Sequence, residues 1–390
     1  MNLALITSNV VRSDGQGRIV YELAKGSLHR GARVSLIAAQ VEPDLCDFGA
    51  RWVNVAIDNW PTSLLKVQAF AVGASAVLDR LGDSFDVVHA FGYVLRRPHH
   101  INSCQFVHAA WRRSSAHSYN VKKDLHGMYH WLFSVFNSHW ERQVFAQSGM
   151  VVAASNKVRQ DLVSSGITGK RIEVIHNAAD SEKLQVPPPS RADFGLPQAV
   201  PLALFAGDLR TYRKNLDGVL KAISQLPLAH LAVVGETRGS PFPELASKLG
   251  IADRTHFMGF RRDLAAIMQV ANVFVFPSRY EPFGMVVLEA MAAGLPVIVA
   301  SSVGAAELVT PHSGVVIDSP DDGRSLVQGL SELLNNVPRA QAMGRVGQQI
   351  AKKHSFAAMV QAYSALYSEA MARHPLSGAV ESFPSTRAAT

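Results

Sequence analysis

Short apolar runs alternate with amphipathic segments along almost the whole chain, the pattern of a parallel sheet covered by helices on both faces. Residues 3–8 read as a strand, 18–30 as a helix that Gly31 stops, and 33–38 as the next strand. Further on, 86–90 and 151–155 read as strands, with a long helix over 123–146 between them.

The periodicity fails over residues 183–199, where three consecutive prolines are followed by Gly195-Leu196-Pro197. Such a stretch supports neither helix nor sheet, so it is read as a linker between two domains, 1–182 and 200–373. The alternation then restarts. Strands are expected at 202–205, 230–234, 255–257, 273–276, 297–300 and 314–317, and helices at 215–226, 264–270, 285–293 and 305–309. Both halves therefore read as Rossmann-like α/β domains. They leave a cleft at the carboxyl ends of both sheets, where folds of this kind bind ligands. The Ser-, Pro- and Ala-rich residues 374–390 are expected to be a disordered tail.

Composition narrows the reading further. An apolar fraction of 48% and a charged fraction of 18% suit a soluble globular protein. Two cysteines, Cys46 and Cys104, build neither a disulfide framework nor a four-thiolate zinc site, which points to the cytoplasm. No export signal is recognised at the amino terminus. The most apolar stretch, 287–306, contains Glu289 and is broken by Gly294-Leu295-Pro296, so it reads as helix, turn and strand rather than as a membrane span.

The net charge of +7 is concentrated: Arg96, Arg97, Arg112, Arg113, Lys122, Lys123 and Arg142 face only Asp124 and Glu141 between Tyr93 and Phe145. Such a patch attracts anions. With no zinc-finger spacing, RNP-like strand or basic zipper, a phosphate-bearing small molecule or an anionic lipid ranks above nucleic acid. Within the same stretch, Leu132, Phe136 and Trp140 recur at four-residue spacing and read as a core-facing stripe. The alternative, a membrane-facing patch suited to a lipid-linked acceptor, stays open.

The segment richest in chemistry runs from Ser278 to Pro296. A strand ends at Pro277, a loop carries Glu281-Pro282-Phe283, and a helix opens at Gly284 with free amides and the positive end of its dipole facing the cleft, a place for an anion. Glu289 lies a turn inside that helix among apolar neighbours and needs hydrogen-bond donors, which vicinal ribose hydroxyls would provide. In this spacing the chain resembles the retaining glycosyltransferases of the two-Rossmann GT-B architecture, specifically glycosyltransferase family 4, whose E-x7-E motif is matched by Glu281 and Glu289.

The resemblance implies that Glu281, Phe283, Gly284 and Met285 meet the donor sugar and Glu289 the nucleotide ribose. Arg213 and Lys214, after Phe205-Ala206-Gly207-Asp208-Leu209, look like the family's basic pair, which neutralises the donor diphosphate. Asp208 departs from the family, which often places an arginine after that glycine, so the phosphate role goes to Lys214 first. Asp14-Gly15-Gln16-Gly17 follows the first strand and lets backbone approach a phosphate or sugar at Gly15 and Gly17. His108, read as ending a strand on the cleft side, resembles the histidine that members place near the transferred sugar. Glu307 matches a further family acid, structural or donor-contacting. Residues 174–180 resemble the segment that closes the first domain. Asp321-Asp322 reads as a helix cap, and neither a metal nor another cofactor is expected. A retaining, metal-independent transfer from a nucleotide diphosphate sugar to a glycan or lipid-linked acceptor hydroxyl follows, on a cytoplasmic protein, peripheral on the inner membrane face in the second reading of the aromatic helix. The rivals are a nucleotide-sugar epimerase or phosphorylase and a silent binding protein of the same fold.

Overall fold

The computed structural model describes residues 1–82, 84–121, 123–180 and 189–373. Two parallel sheets form from the alternation. The first has seven strands in the spatial order Arg51–Asn54, Arg33–Ala38, Asn2–Ile6, Val87–Phe91, His99–Cys104, Ser148–Ala153, Ile172–Val174. The second has six, in the order Thr255–Phe257, His230–Val234, Leu202–Ala206, Val273–Phe276, Val297–Ala300, Gly314–Ile317. Each strand order reverses beside its first strand. That reversal opens a crevice at the carboxyl ends of Leu202–Ala206 and Val273–Phe276, which pair directly through Ala203 and Val273.

Strands buried on both faces must be apolar throughout, and Leu202–Ala206 and Val273–Phe276 are fully buried. Most second-half strands coincide with the sequence expectation residue for residue. Helix starts follow capping chemistry: Asp14 accepts from the Gln16 and Gly17 amides to open Gly15–His29, and Asp322 accepts from the Ser325 amide to open Gly323–Asn335. The last helix, Phe356–Arg373, crosses back onto the first domain, where Val360 packs so closely on the helix Gly15–His29 that a Cβ on Gly26 would lie 2.6 Å from it. Of the expected linker, 183–188 lie outside the described residues, as does the expected tail, 374–390. Residues Arg191–Phe194 form a turn belonging to the second domain, because the Arg191 guanidinium donates to the carbonyls of Val200 and Val270 at 2.7 and 2.9 Å.

Two first-domain strands, Arg51–Asn54 and Ile172–Val174, and the helix Ser63–Leu81 were absent from the sequence reading, and the bounds of His99–Cys104 were missed, a strand being read there only as ending at His108. The strand His99–Cys104 shows why. It is buried throughout yet mostly polar, and its polar groups are satisfied inside the fold: the His100 ring accepts from the Val88 amide at 3.0 Å, and Asn102 meets His99 at 3.0 Å. The Ser103 hydroxyl joins Tyr363 at 2.9 Å and His89 at 2.8 Å, and His89 also meets the Tyr367 hydroxyl at 2.8 Å. A buried polar network thus fixes the last helix on the first sheet.

Burial holds His89 and His99 neutral, pushing them down to about 3 and about 4. The unfolded chain protonates both near pH 6.5. Between those values it binds more protons than the folded chain, so stability rises with pH. The contribution is complete above about pH 6.5 and is lost as pH falls toward about 4 and 3, by about 1.4 kcal/mol per pH unit for each ring. Thermal unfolding followed from about pH 7.5 to about pH 5 should show a falling midpoint, with a shallower slope in His89→Gln. Equal slopes in the two proteins would contradict the neutral buried ring.

The helix Leu125–Gln147 corrects the core reading of its aromatic stripe. Leu132 and Phe136 are 40% and 44% exposed, and the buried positions are Gly127, Ser134, Asn137, Glu141, Val144 and Phe145. No described helix is long and apolar enough to cross a membrane.

Candidate functional site

Two loops at the crevice of the second domain carry most of the expected residues. The first leaves Ala206 and reaches a short turn, Tyr212–Lys214, after which Asn215 takes a left-handed conformation (φ 62°) and caps the helix Leu216–Ser224. Its amide donates to the Pro277 carbonyl at 3.0 Å, tying it to the second loop. Arg279 strengthens the tie through a bidentate pair with Asp217 at 2.8 and 2.9 Å and a bond to the Tyr212 carbonyl. These contacts bring Lys214 onto the Glu281 carboxylate, with Arg213 3.5 Å from it.

Lys214 is held by opposing forces. Burial pushes its ammonium below the usual lysine range, while Glu281 acts against the shift and favours the charge. One half-buried carboxylate thus faces two cations, so an incoming anion has positive charge ready to receive it. Beside them Gly284 (φ 92°) opens the helix Met285–Ala292 with no side-chain cap. A Cβ there would lie 3.0 Å from Val303 and 3.2 Å from Glu281, so glycine suits both the backbone and the space.

From the first domain, Gly15 and Arg18 face this helix mouth, and Arg18 donates to Glu289 at 2.7 Å across the cleft. The two domains enclose a cavity of about 480 Å³. Glu281, Phe283, Gly284, Met285, Glu289, Arg213 and Gly15 line it, as do Gln105 and Asn177. The Asn177 amide donates to the Gln105 side-chain oxygen at 2.7 Å, and the Gln105 amide nitrogen is buried without a partner. An unpaired buried donor at a cavity wall is a waiting contact for a ligand oxygen.

The remaining expected residues fall elsewhere. Gly17 is not on the cavity wall: a Cβ there would come within 2.7 Å of the Val11 carbonyl, so its small size serves packing, whereas Gly15 has open space. His108 opens the short helix His108–Arg113 instead of ending a strand, because the strand has already stopped at Cys104. Its ring bonds Glu141 at 2.5 Å and meets the cavity-lining Phe106 edge-on at 5.0 Å, so it stands beside the cavity. Lys214 likewise reaches the wall through Glu281. Glu307 lies at the contact between domains, joined to the His176 ring at 2.5 Å and to the Asn156 amide at 3.1 Å. Burial would raise its carboxyl, but those partners outweigh it and lower it. Asp208 pairs with Arg210 at 3.1 Å.

The same interface holds the domains in register. Ser155 donates to the Pro282 carbonyl at 2.7 Å, and the Tyr280 hydroxyl to the Val107 carbonyl at 3.1 Å. Burial pushes the Tyr280 phenol well up, so it remains a donor. Arg18, Gln105 and Glu141 were not singled out as site residues in the sequence. Their roles depend on partners 271, 72 and 33 positions away, and no local spacing announces them.

Residues 13–183 match the family model described as Glycosyltransferase Family 4, and residues 188–350 the one described as Glycosyl transferases group 1. A D-inositol 3-phosphate glycosyltransferase of Mycolicibacterium smegmatis is 33% identical over 254 residues, covering 60% of this chain and 57% of that protein. The chain spans about half the length of the first curated relatives it matches. Among solved structures, sucrose-phosphate synthase from Thermosynechococcus elongatus superimposes with a TM-score of 0.80 at 18% identity, over 96% of this chain and all (100%) of that one. Anabaena Alr3699/HepE, solved in complex with UDP-glucose, gives a TM-score of 0.72 at 17% identity, over 95% and 100% of the two chains. These likenesses show the fold.

Proposed function

Since the chain belongs to the GT-B glycosyltransferases of family 4, we propose that it transfers a sugar from a nucleotide diphosphate to an acceptor hydroxyl, with retention at the anomeric carbon and without a metal. The observation that carries this reading is the interdomain cavity, where an uncapped helix mouth at Gly284 meets two acids, Glu281 and Glu289, and the cations Arg213 and Lys214. The UDP-glucose complex of the Anabaena neighbour supports a nucleotide sugar as donor. The glycosyltransferase relatives support a role in making a glycan, a lipopolysaccharide or a glycolipid precursor.

Each group then has a task. The diphosphate lies at the amides of the helix mouth, and its arrival exchanges the Lys214–Glu281 pair for a Lys214–phosphate pair. Glu281 turns to a sugar hydroxyl. Glu289 accepts from the ribose, replacing its bond from Arg18. As the glycosidic bond to the diphosphate breaks and the acceptor oxygen bonds the anomeric carbon, the hydroxyl proton passes to the departing phosphate oxygen. The negative charge that grows on that leaving oxygen is stabilised by the fixed cations more in the transition state than in the ground state. The acceptor enters from the first domain, between Gln105 and His108. Glu141, bonded to one ring nitrogen of His108, orients the other toward substrate. Glu307 and Gly17 act on domain register and packing.

Thermal-shift measurements with UDP-, GDP- and ADP-sugars test the donor. A ligand at 100 times its Kd stabilises by about 2.7 kcal/mol, so the true donor raises the unfolding midpoint by several degrees. No shift with any nucleotide sugar or nucleoside diphosphate would sink the assignment. The anomeric configuration of the product, read by NMR, tests retention.

A further inference from the structure

The helix Leu125–Gln147 is inverted relative to an ordinary surface helix. Its polar residues Ser134, Asn137 and Glu141 face the domain interior, while Leu125, Met128, Trp131, Leu132 and Phe136 face outward, with Leu125 81% exposed. The inward polar groups are satisfied there: Ser134 meets the His117 ring at 3.1 Å, Asn137 donates to the Phe133 carbonyl at 2.8 Å, and Glu141 holds His108. An alternative rotation that buried the apolar stripe would take Ser134 and Glu141 away from His117 and His108, so the outward stripe is part of the fold. A helix of 23 residues is about 34 Å long, and the stripe occupies its first half.

Cations border this stripe. Lys123 is exposed just before the helix begins. At the other end Phe136 stacks on Trp140 at 5.6 Å, Trp140 on Tyr93 at 5.3 Å, and the Tyr93 hydroxyl accepts from exposed Arg96 at 3.0 Å. Tyr129, on the same helix, accepts from the Leu64 amide at 3.3 Å, which brings exposed Leu65 into the neighbourhood. Of the two acids of this basic stretch, Glu141 is buried, while Asp124 is exposed with one carboxylate oxygen engaged as the helix cap, accepting from the Gly127 amide at 2.7 Å, so the basic residues still outnumber the acids on this face.

We infer that this face, formed by Leu125, Met128, Trp131, Leu132 and Phe136 with Lys123 and Arg96 at its rim, docks on the surface of an anionic lipid bilayer. The apolar stripe enters the headgroup boundary and the cations meet lipid phosphates. Charge complementarity selects this occupant. A second copy docked through the same face about a two-fold axis would set one basic rim against another. The docking stands independently of the reaction; that it brings a lipid-linked acceptor to the neighbouring His108 side of the cleft rests on the glycosyl-transfer reading.

The test is co-sedimentation of the full chain with vesicles of phosphatidylcholine alone and of phosphatidylcholine mixed with phosphatidylglycerol. Binding to the mixed vesicles, weakened by salt, is expected, with little binding to the neutral ones. Leu125→Glu combined with Phe136→Glu should abolish it at an unchanged unfolding midpoint. Lys123→Gln and Arg96→Gln should each weaken it about fivefold. Brominated lipid should quench tryptophan emission, and Trp131→Phe should remove most of that quenching. Equal binding to both vesicle types, binding unaffected by the Leu125/Phe136 variant, or no binding would overturn the inference. So would a concentration-dependent dimer that the Leu125/Phe136 variant dissolves. Loss of the nucleotide-sugar thermal shift with vesicle binding intact would count against glycosyl transfer and leave the docking face standing.

Discussion

Lys214→Met lowers turnover by about 10²–10³-fold while the protein stays folded, because in the proposed donor complex it removes the cation nearest the departing diphosphate. Methionine keeps the unbranched stem beside Gly207 and removes the ammonium, which also lies over the Phe276 ring at 5.1 Å, so the loss is one of charge. Two effects compete. Without the ammonium, Glu281 keeps only Arg213, 3.5 Å away, and a carboxylate with little solvent access loses its closest partner, which costs stability. In the donor complex the diphosphate loses its counter-charge at the moment charge develops, and that term governs the rate. Glu281→Gln separates the two, because it relieves the pair in the free protein while leaving Lys214 for the phosphate. Its expected loss falls on positioning of the sugar, at a retained or strengthened nucleoside diphosphate affinity. Steady-state kinetics with the donor found by thermal shift make the comparison. A folded Lys214→Met with wild-type turnover would show that the phosphate site lies elsewhere.

Gly304→Ala, one methyl group at the domain contact, reduces turnover by about 10²-fold. The added carbon would fall 1.9 Å from the Pro282 carbonyl oxygen and 2.7 Å from the Ser155 hydroxyl, both inside van der Waals contact. The clash is with backbone, which no rotamer change relieves. The Gly304 amide donates to the Glu281 carbonyl at 2.9 Å and the Ala305 amide to the Phe283 carbonyl at 2.7 Å, so the loop bearing the cavity's acid shifts with any displacement. Ser155, the cap of the helix Asn156–Ser164, carries that shift into the first domain. The control is Ser155→Ala, which deletes the hydrogen bond without adding bulk and costs about 1 kcal/mol of stability with a smaller kinetic effect. Activity of both variants, with circular dichroism for folding, decides the matter. Wild-type turnover in Gly304→Ala would mean that the working enzyme does not use this domain contact.

The same contrast between local and distant causes runs through the whole protein. The strand Val273–Phe276, the loop with Glu281 and the helix from Gly284 to Glu289 are contiguous, so their apolar run, their turn residues and the eight-residue step between the acids were all readable along the chain. The basic pair Arg213-Lys214 was readable for the same reason, since a strand end and a helix start bracket it. The strand His99–Cys104 was not, because its burial rests on partners such as Tyr363 that arrive 260 residues later.

Periodicity also has a built-in ambiguity. It told that Leu132 and Phe136 share one face of a helix, but the direction in which that face points was decided by Glu141 reaching His108 and Ser134 reaching His117. Spacing along the chain established two α/β halves, an open helix mouth and the pair of acids beside it, because backbone geometry converts local spacing into position. Packing alone decided that Arg18 reaches Glu289, that Gly17 makes room for Val11, that Glu307 joins the domains, and that an apolar stripe faces outward. Those outcomes depend on which surfaces meet when the two sheets and the last helix come together, and a contact between residues far apart in the chain leaves no local mark on either.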